Sequence, residues 1–323
     1  MNKDRLKKII STHTKKINEQ LYKMFVPQSS LTRQVFNQTI KTGKRLRPLL
    51  VVYSALCSNY KGDMTSLYRL GAIMELVHTA SLLHDDVIDE ADVRRGVVSS
   101  NRLFGNEASI LTGDYMYSLA YNAVLDYDKK IAKKISEAAY TLSEGETKEI
   151  ENTGNTELTQ KEYLEIIYMK TGILIEASSV VGAIFSGCDK ERIDLFSEMG
   201  KNLGIAFQIY DDVLDYMGTE EKMGKEIMKD IREGKATLPL IHSLHNDDGD
   251  LMDAVRKLEK SNVKRENLLR IKQLVEERSG VVYSLKKAED YAERAKKAIS
   301  FIEISSSRQV LEALIDYSVN REH

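Results

Sequence analysis

The stretch ELVHTASLLHDDVIDEADVRRG, residues 75–96, decides how this chain folds. It reads as the C-terminal end of an apolar helix that finishes in Asp85-Asp86-Val87-Ile88-Asp89, flanked by Leu82 and Leu83. On a helix, positions i and i+4 share a face, so Asp85 and Asp89 project together. Carboxylates roughly 5 to 6 Å apart repel by about 3 kcal/mol at an effective dielectric near 20, and a helix C-terminus is the wrong end of the dipole for them. The same D-D-x-x-D pattern returns at Asp211-Asp212-Val213-Leu214-Asp215, again on an apolar helix. One match is plausible by chance in a chain of this length. Two have odds on the order of one in a hundred.

Outward from these clusters the chain is helical nearly everywhere. Periodicity predicts helices near 3–23, 31–40, 47–59, 64–90, 105–126, 129–151, 159–186, 190–217, 219–228, 236–245, 250–260, 264–278, 280–302 and 306–320. The 323 residues contain only 3 prolines and 18 glycines, too few turn residues for a β sandwich or barrel. The turn clusters at 59–63, 152–155 and 246–249 are too short to be domain linkers. The fold class is therefore all-α, one large helical domain spanning 1–323. The 47 basic and 49 acidic residues give no basic excess, so no nucleic-acid partner is expected. Cys57 and Cys188 form neither a disulfide framework nor a zinc pattern, and the N-terminus has no apolar signal region; a cytoplasmic location is expected. The apolar run 163–185 is interrupted by Glu165, Lys170 and Glu176 and reads as a buried helix whose charges need a partner or a ligand.

Neither acidic cluster has the spacing of a calcium loop. Mg²⁺ suits them better, because it keeps several waters and takes one or two carboxylates together with substrate phosphates. Basic residues stand near each cluster: Lys44, Arg45 and Arg47 in GKRLRP (43–48), Arg94 and Arg95 after the first, and Lys225 and Lys235 after the second. Lys170 lies in the apolar run. His78 is two turns before Asp85, and Gln208 shares the face of Asp211, Asp212 and Asp215. No P-loop is present, which disfavours a nucleotide of that type.

With these residues in view, the chain resembles the trans-isoprenyl diphosphate synthases, the polyprenyl synthetases. The resemblance rests on GKRLRP (43–48), residues 75–96, KTG (170–172), FQIYDDVLD (207–215) and GKATLP (234–239), in that order. It implies an all-α bundle around a central cavity, usually a homodimer. Such a protein condenses isopentenyl diphosphate with an allylic diphosphate, using about three Mg²⁺ ions per site. Carried over residue by residue, Asp85, Asp89 and Asp211 hold Mg²⁺, with Asp86, Asp212 and Asp215 supporting. Arg94, Lys170, Thr171, Gln208, Lys225 and Lys235 bind the allylic diphosphate. Lys44, Arg47, His78 and Arg95 bind isopentenyl diphosphate. Peripheral membrane contact would serve product release. Thr42 and Glu226 depart from the Gly and Pro common in the family.

One helical turn below Asp85 lie Ala80 and Ser81, both small. Bulky aromatics at these positions stop short products in the family, so a long product of about C30 to C40 is expected. A floor is offered by Met74, Tyr115, Tyr117 or Tyr121. The alternatives are a medium-chain (geranylgeranyl or farnesyl) synthase, or the catalytic subunit of a heteromeric synthase. A terpene cyclase, which pairs one D-D-x-x-D with a different second motif, and a non-catalytic subunit, which usually lacks an acidic cluster, fit less well.

Overall fold

A computed structural model describes residues 3–41, 43–217, 228–245, 247, 249–258 and 264–320. Its contacts divide the chain into two compact units: Met1–Ala139 with Ala177–Ser197 and Phe301–Glu312, and Tyr140–Glu176 with Glu198–Ser300 and Ala313–His323.

In the first unit the central element is α4 (Met64–Ile88), with α1 (Lys3–Met24), α3 (Leu46–Cys57) and α6 (Asn106–Val124) packed against it. Asp63 starts α4 by accepting the backbone N–H groups of Thr65 and Ser66 at 2.8 and 3.1 Å, which satisfies two otherwise orphaned donors. The helix is apolar on every side, with Leu67, Leu70, Ile73, Met74, Val77, Ala80 and Leu83 all buried, as a core helix should be. It ends where the Asp89 N–H bonds the Asp85 carbonyl at 2.8 Å. A short ribbon follows, β1 (Val93–Arg94) against β2 (Val97–Val98), with Val93 opposite Val98. Arg95 and Gly96 turn the ribbon with φ of 53° and 79°, the twin left-handed pair of a type I′ hairpin. Helices α2 (Ser30–Ile40) and α5 (Ser100–Phe104) pack on α6.

In the second unit, α7 (Lys129–Glu151) and α10 (Lys190–Met217) contribute their C-terminal parts. Between them in sequence come α8 (Gln160–Ile167), a π turn (Tyr168–Gly172) and the start of α9 (Ile173–Phe185). Thr159 and Glu162 form a reciprocal capping box at the start of α8. The remaining helices are α11 (Lys229–Arg232), α12 (Leu238–His245), α13 (Asp250–Arg256), α14 (Arg265–Glu277), α15 (Gly280–Ala298) and the C-terminal part of α16 (Ser306–Val319). The charged, amphipathic α13 and α14 bury Leu251, Leu268, Ile271, Leu274 and Val275 with Tyr216, Met228 and Leu240. Each such side chain contributes about 1.5 to 3 kcal/mol.

Two glycines fix the π turn. A Cβ on Gly145 of α7 would stand 2.5 Å from the Lys170 nitrogen, and one on Gly204 of α10 would stand 2.4 Å from the Gly172 Cα. The turn is thus held backbone to backbone between α7 and α10, where no larger residue fits. Gln160–Phe185 is long and apolar enough to cross a membrane, but 83% of its apolar window is buried within the protein. The helix expected at 219–228 lies almost entirely outside the described residues.

Candidate active site

In the first unit, the end of α4 separates its three aspartates by environment. Asp86 is buried, at 2% exposed, and accepts the Arg94 Nε at 2.5 Å. Its backbone carbonyl accepts the Asn101 amide at 3.0 Å. Asp85 and Asp89, at i and i+4, stay partly open to solvent. This is the division expected if Asp86 supports the loop while its two neighbours meet a ligand.

Two turns back on the same helix, His78 receives two guanidinium groups at Nε2, Arg47 Nη1 at 3.1 Å and Arg95 Nη2 at 3.4 Å. Burial, then the charges of Arg47 and Arg95, push the imidazole well below its ordinary pKa. His78 is therefore neutral and an acceptor at Nε2, which puts its proton on Nδ1. Arg45 has a different task. It is buried and donates to Glu75, to the Asn18 side chain and to the Ile40 carbonyl. Arg45 and Arg94 pair with Glu75 and Asp86, and the guanidinium groups of Arg47 and Arg95 meet at one neutral ring. Lys44 beside them is solvent-exposed. The arrangement suits a polyanion.

In the second unit, a cavity of about 100 Å³ is lined by Glu149, Tyr163, Lys170, Gln208, Asp230 and Lys235, among others. Lys170 sits between Glu146 and Glu149 at 2.8 and 2.7 Å, and Lys235 bridges Glu149 and Glu233 at 3.4 and 2.9 Å. Burial pulls the Lys170 ammonium down, but the two glutamates outweigh it and hold it above its ordinary value. Thr171 donates to Gln208 Oε1 at 2.7 Å, and Gln208 Nε2 donates to Asp212 Oδ1 at 2.7 Å. Asp215 accepts the N–H groups of Lys229 and Asp230, both at 3.0 Å, and so caps α11. Asp211 is partly exposed and Asp212 buried, mirroring the first cluster. Burial raises the Asp212 and Asp230 carboxyls, and the neighbouring carboxylates add to it.

Most residues expected from the sequence thus lie in two groups, one in each unit. Lys225 lies outside the described residues. Sequence reading missed Glu146, Glu149, Tyr163 and Asp230. The charges noted on the 163–185 run do have partners: Lys148 for Glu165, Glu146 and Glu149 for Lys170, and the Tyr168 hydroxyl, at 2.6 Å, for Glu176. That unpaired-charge argument was the signal pointing to Glu146 and Glu149.

The donors fit a hard divalent cation. Asp85 and Asp89 in the first unit, and Asp211 in the second, offer carboxylate oxygens only, the ligand type such a cation takes. Among the described residues no three acidic, His or Cys side chains gather closely enough to hold a metal by themselves.

Residues 29–277 match the polyprenyl synthetase family model. The octaprenyl diphosphate synthase of Haemophilus influenzae is 32% identical over all of this chain and 98% of its own length. That of Escherichia coli is 34% identical over 87% of this chain and 86% of its own. A polyprenyl synthase from Caulobacter crescentus, crystallised with calcium and isoprenyl diphosphate, superposes with a TM-score of 0.92 at 32% identity, covering 98% of this chain and 97% of that one. A geranylgeranyl pyrophosphate synthetase from Pyrococcus horikoshii gives 0.90 at 31%, covering 99% of each. The all-α fold is thus that of the isoprenoid synthases, and the chain belongs to the polyprenyl synthetase family: it is a prenyl transferase.

Proposed function

We propose that this chain condenses isopentenyl diphosphate with an allylic diphosphate, in a Mg²⁺-dependent reaction, to make an all-trans polyprenyl diphosphate of about C30 to C40. The observation that carries the long product is the small, buried pair Ala80 and Ser81 one turn below Asp85, 0% and 4% exposed, where a short-chain enzyme would hold bulk. Full-length similarity to an octaprenyl synthase supports it.

In this reading Lys170, Thr171, Gln208 and Lys235 bind the allylic diphosphate, joined by Arg94 and Lys225. The lysines exchange glutamate oxygens for phosphate oxygens of the same charge type, so their ammonium groups stay neutralised throughout. Lys44, Arg47, His78 and Arg95 bind isopentenyl diphosphate. Asp85, Asp89 and Asp211 hold the metal, about three ions, with Asp86, Asp212 and Asp215 fixing the neighbouring backbone and side chains. When bound, Mg²⁺ supplies Lewis-acid neutralisation of the leaving diphosphate. The allylic C–O bond breaks to a cation and pyrophosphate. The isopentenyl double bond attacks the cation, and a proton passes from the adduct to the pyrophosphate, since the motifs offer no dedicated base. Arginine and lysine donors stabilise the departing charge.

The chain is read as one catalytic domain, acting as a cytoplasmic homodimer with peripheral membrane contact for product release. Incubation of the purified chain with isopentenyl diphosphate, Mg²⁺ and a series of allylic primers, followed by chromatography, tests the product. A dominant C30 to C40 band is expected. A dominant C15 or C20 band favours the medium-chain alternative, and activity only with a second polypeptide favours the heteromer.

A further inference from the structure

Tyr163 stands in α8, 3% exposed, with its hydroxyl donating to Asp212 Oδ2 at 2.6 Å. The other oxygen of that carboxylate, Oδ1, takes the Gln208 amide nitrogen at 2.7 Å, and Gln208 Oε1 takes the Thr171 hydroxyl at 2.7 Å. The four side chains form one directed sequence, Tyr163 to Asp212, Thr171 to Gln208, Gln208 to Asp212. With Asp212 ionised each link has a fixed sense, because an amide nitrogen only donates and a carboxylate only accepts. Turning the Gln208 amide over would set Oε1 against Asp212 Oδ1, two acceptors face to face. The direction of Gln208, and with it that of the Thr171 hydroxyl, therefore depends on where Asp212 points.

Asp212 is anchored from the side away from Gln208 by Tyr163. The Tyr163 ring is packed in the wall of the cavity that also holds Lys170 and Lys235. We propose that Tyr163 is a positioning residue for the allylic half of the site: it fixes the Asp212 carboxylate, and through it the Gln208–Thr171 pair that meets the allylic diphosphate. This rests on the prenyl-transfer reading above. The residue touches neither substrate nor metal in this role. It acts at the far end of a hydrogen-bonded sequence, where a carboxylate held at both oxygens keeps one rotamer and one held at a single oxygen does not.

The test is Tyr163→Phe, which removes one buried oxygen and keeps the ring. Binding of an unreactive allylic thiodiphosphate is measured by calorimetry, and KM for both substrates by steady-state kinetics. Loss of the anchor weakens the allylic Kd and KM about tenfold and leaves the KM for isopentenyl diphosphate within twofold. A merely structural loss would instead lower the active fraction and scale kcat with both KM values unchanged. In the Gln208→Ala background the Tyr163→Phe effect disappears, since the link it works through is gone. Allylic constants within twofold of wild type, or effects of the two changes that multiply, overturn the proposal. Should Tyr163→Phe fail to fold, difluorotyrosine at 163 keeps ring and donor while strengthening the bond: an allylic Kd shifted more than twofold supports the proposal, and an unchanged one overturns it. A wild-type chain that makes no prenyl product at all would fail the functional reading itself, a separate result.

Discussion

The Arg47 guanidinium meets His78 Nε2 across 3.1 Å, a cation donating to a ring that its own charge helps to keep neutral. This pair turns a histidine into a fixed acceptor that spreads and orients two arginines, Arg47 and Arg95, for one anion. Replacing His78 with Ala should leave both arginines charged but loosely aimed. The expected result is a KM for isopentenyl diphosphate raised about tenfold, with the allylic KM little changed. Steady-state kinetics with each substrate varied in turn checks it; equal rises in both constants would contradict the assignment.

The same histidine predicts a pH dependence of stability. Its folded pKa is depressed below the unfolded 6.5. Below pH 6.5 the unfolded chain therefore binds a proton that the folded chain refuses. Stability is undiminished by this group above 6.5 and falls as pH drops below it, by about 1.4 kcal/mol per pH unit at most. Thermal unfolding between pH 7.5 and 5.5 should show a shallower fall for His78→Asn than for the parent. Parallel curves would mean that the ring titrates normally.

The first acidic cluster predicts a separation of fold from chemistry. Asp85 is partly exposed and Asp86 buried on Arg94. Asp85→Ala should keep the helical circular dichroism, lower turnover by about a thousandfold or more, and abolish the rise in Tm that Mg²⁺ with diphosphate gives the parent. Near-normal turnover would remove Asp85 from the metal site.

Glycine at 204 predicts an effect carried by the backbone. A methyl there would meet the Gly172 Cα at 2.4 Å and push the turn that carries Lys170 and Thr171. Gly204→Ala should destabilise the chain by about 1 to 3 kcal/mol, as overpacking does, and raise the allylic KM. Denaturant unfolding together with allylic kinetics measures both. Unaltered stability would show that α10 and the π turn have room to part.

Product length is tested at Ser81, whose hydroxyl bonds the His78 carbonyl at 2.9 Å. Ser81→Phe should shorten the product by several isoprene units, read by chromatography. An unchanged profile would place the growing chain elsewhere.

Much of this was legible in the sequence because it repeats. The two D-D-x-x-D clusters announce themselves by doubling, and long amphipathic or apolar periods placed α4, α7 and α10 within a residue or two of their ends. The ribbon at 93–98 was missed because two-residue strands carry no alternation to detect. Asp230, Glu146 and Glu149 were missed for another reason. Each sits in a charged segment where an acid ordinarily faces solvent, and only the fold brings Glu149 against Lys170 and Lys235. Arg45 misleads in the opposite sense: it stands in a basic run, yet its left-handed backbone and its Glu75 partner make it part of the scaffold.

As proposed, prenyl transfer by this chain depends on metal and draws on both acidic clusters. Its most direct test is incorporation of labelled isopentenyl diphosphate into apolar product by the purified chain. The assay takes a farnesyl diphosphate primer, with Mg²⁺ or with excess chelator, and compares Asp85→Ala and Asp211→Ala. Incorporation is expected to require both substrates and Mg²⁺ and to be lost in each variant. Incorporation that survives chelation, or that either variant retains at the parent's rate, would contradict it.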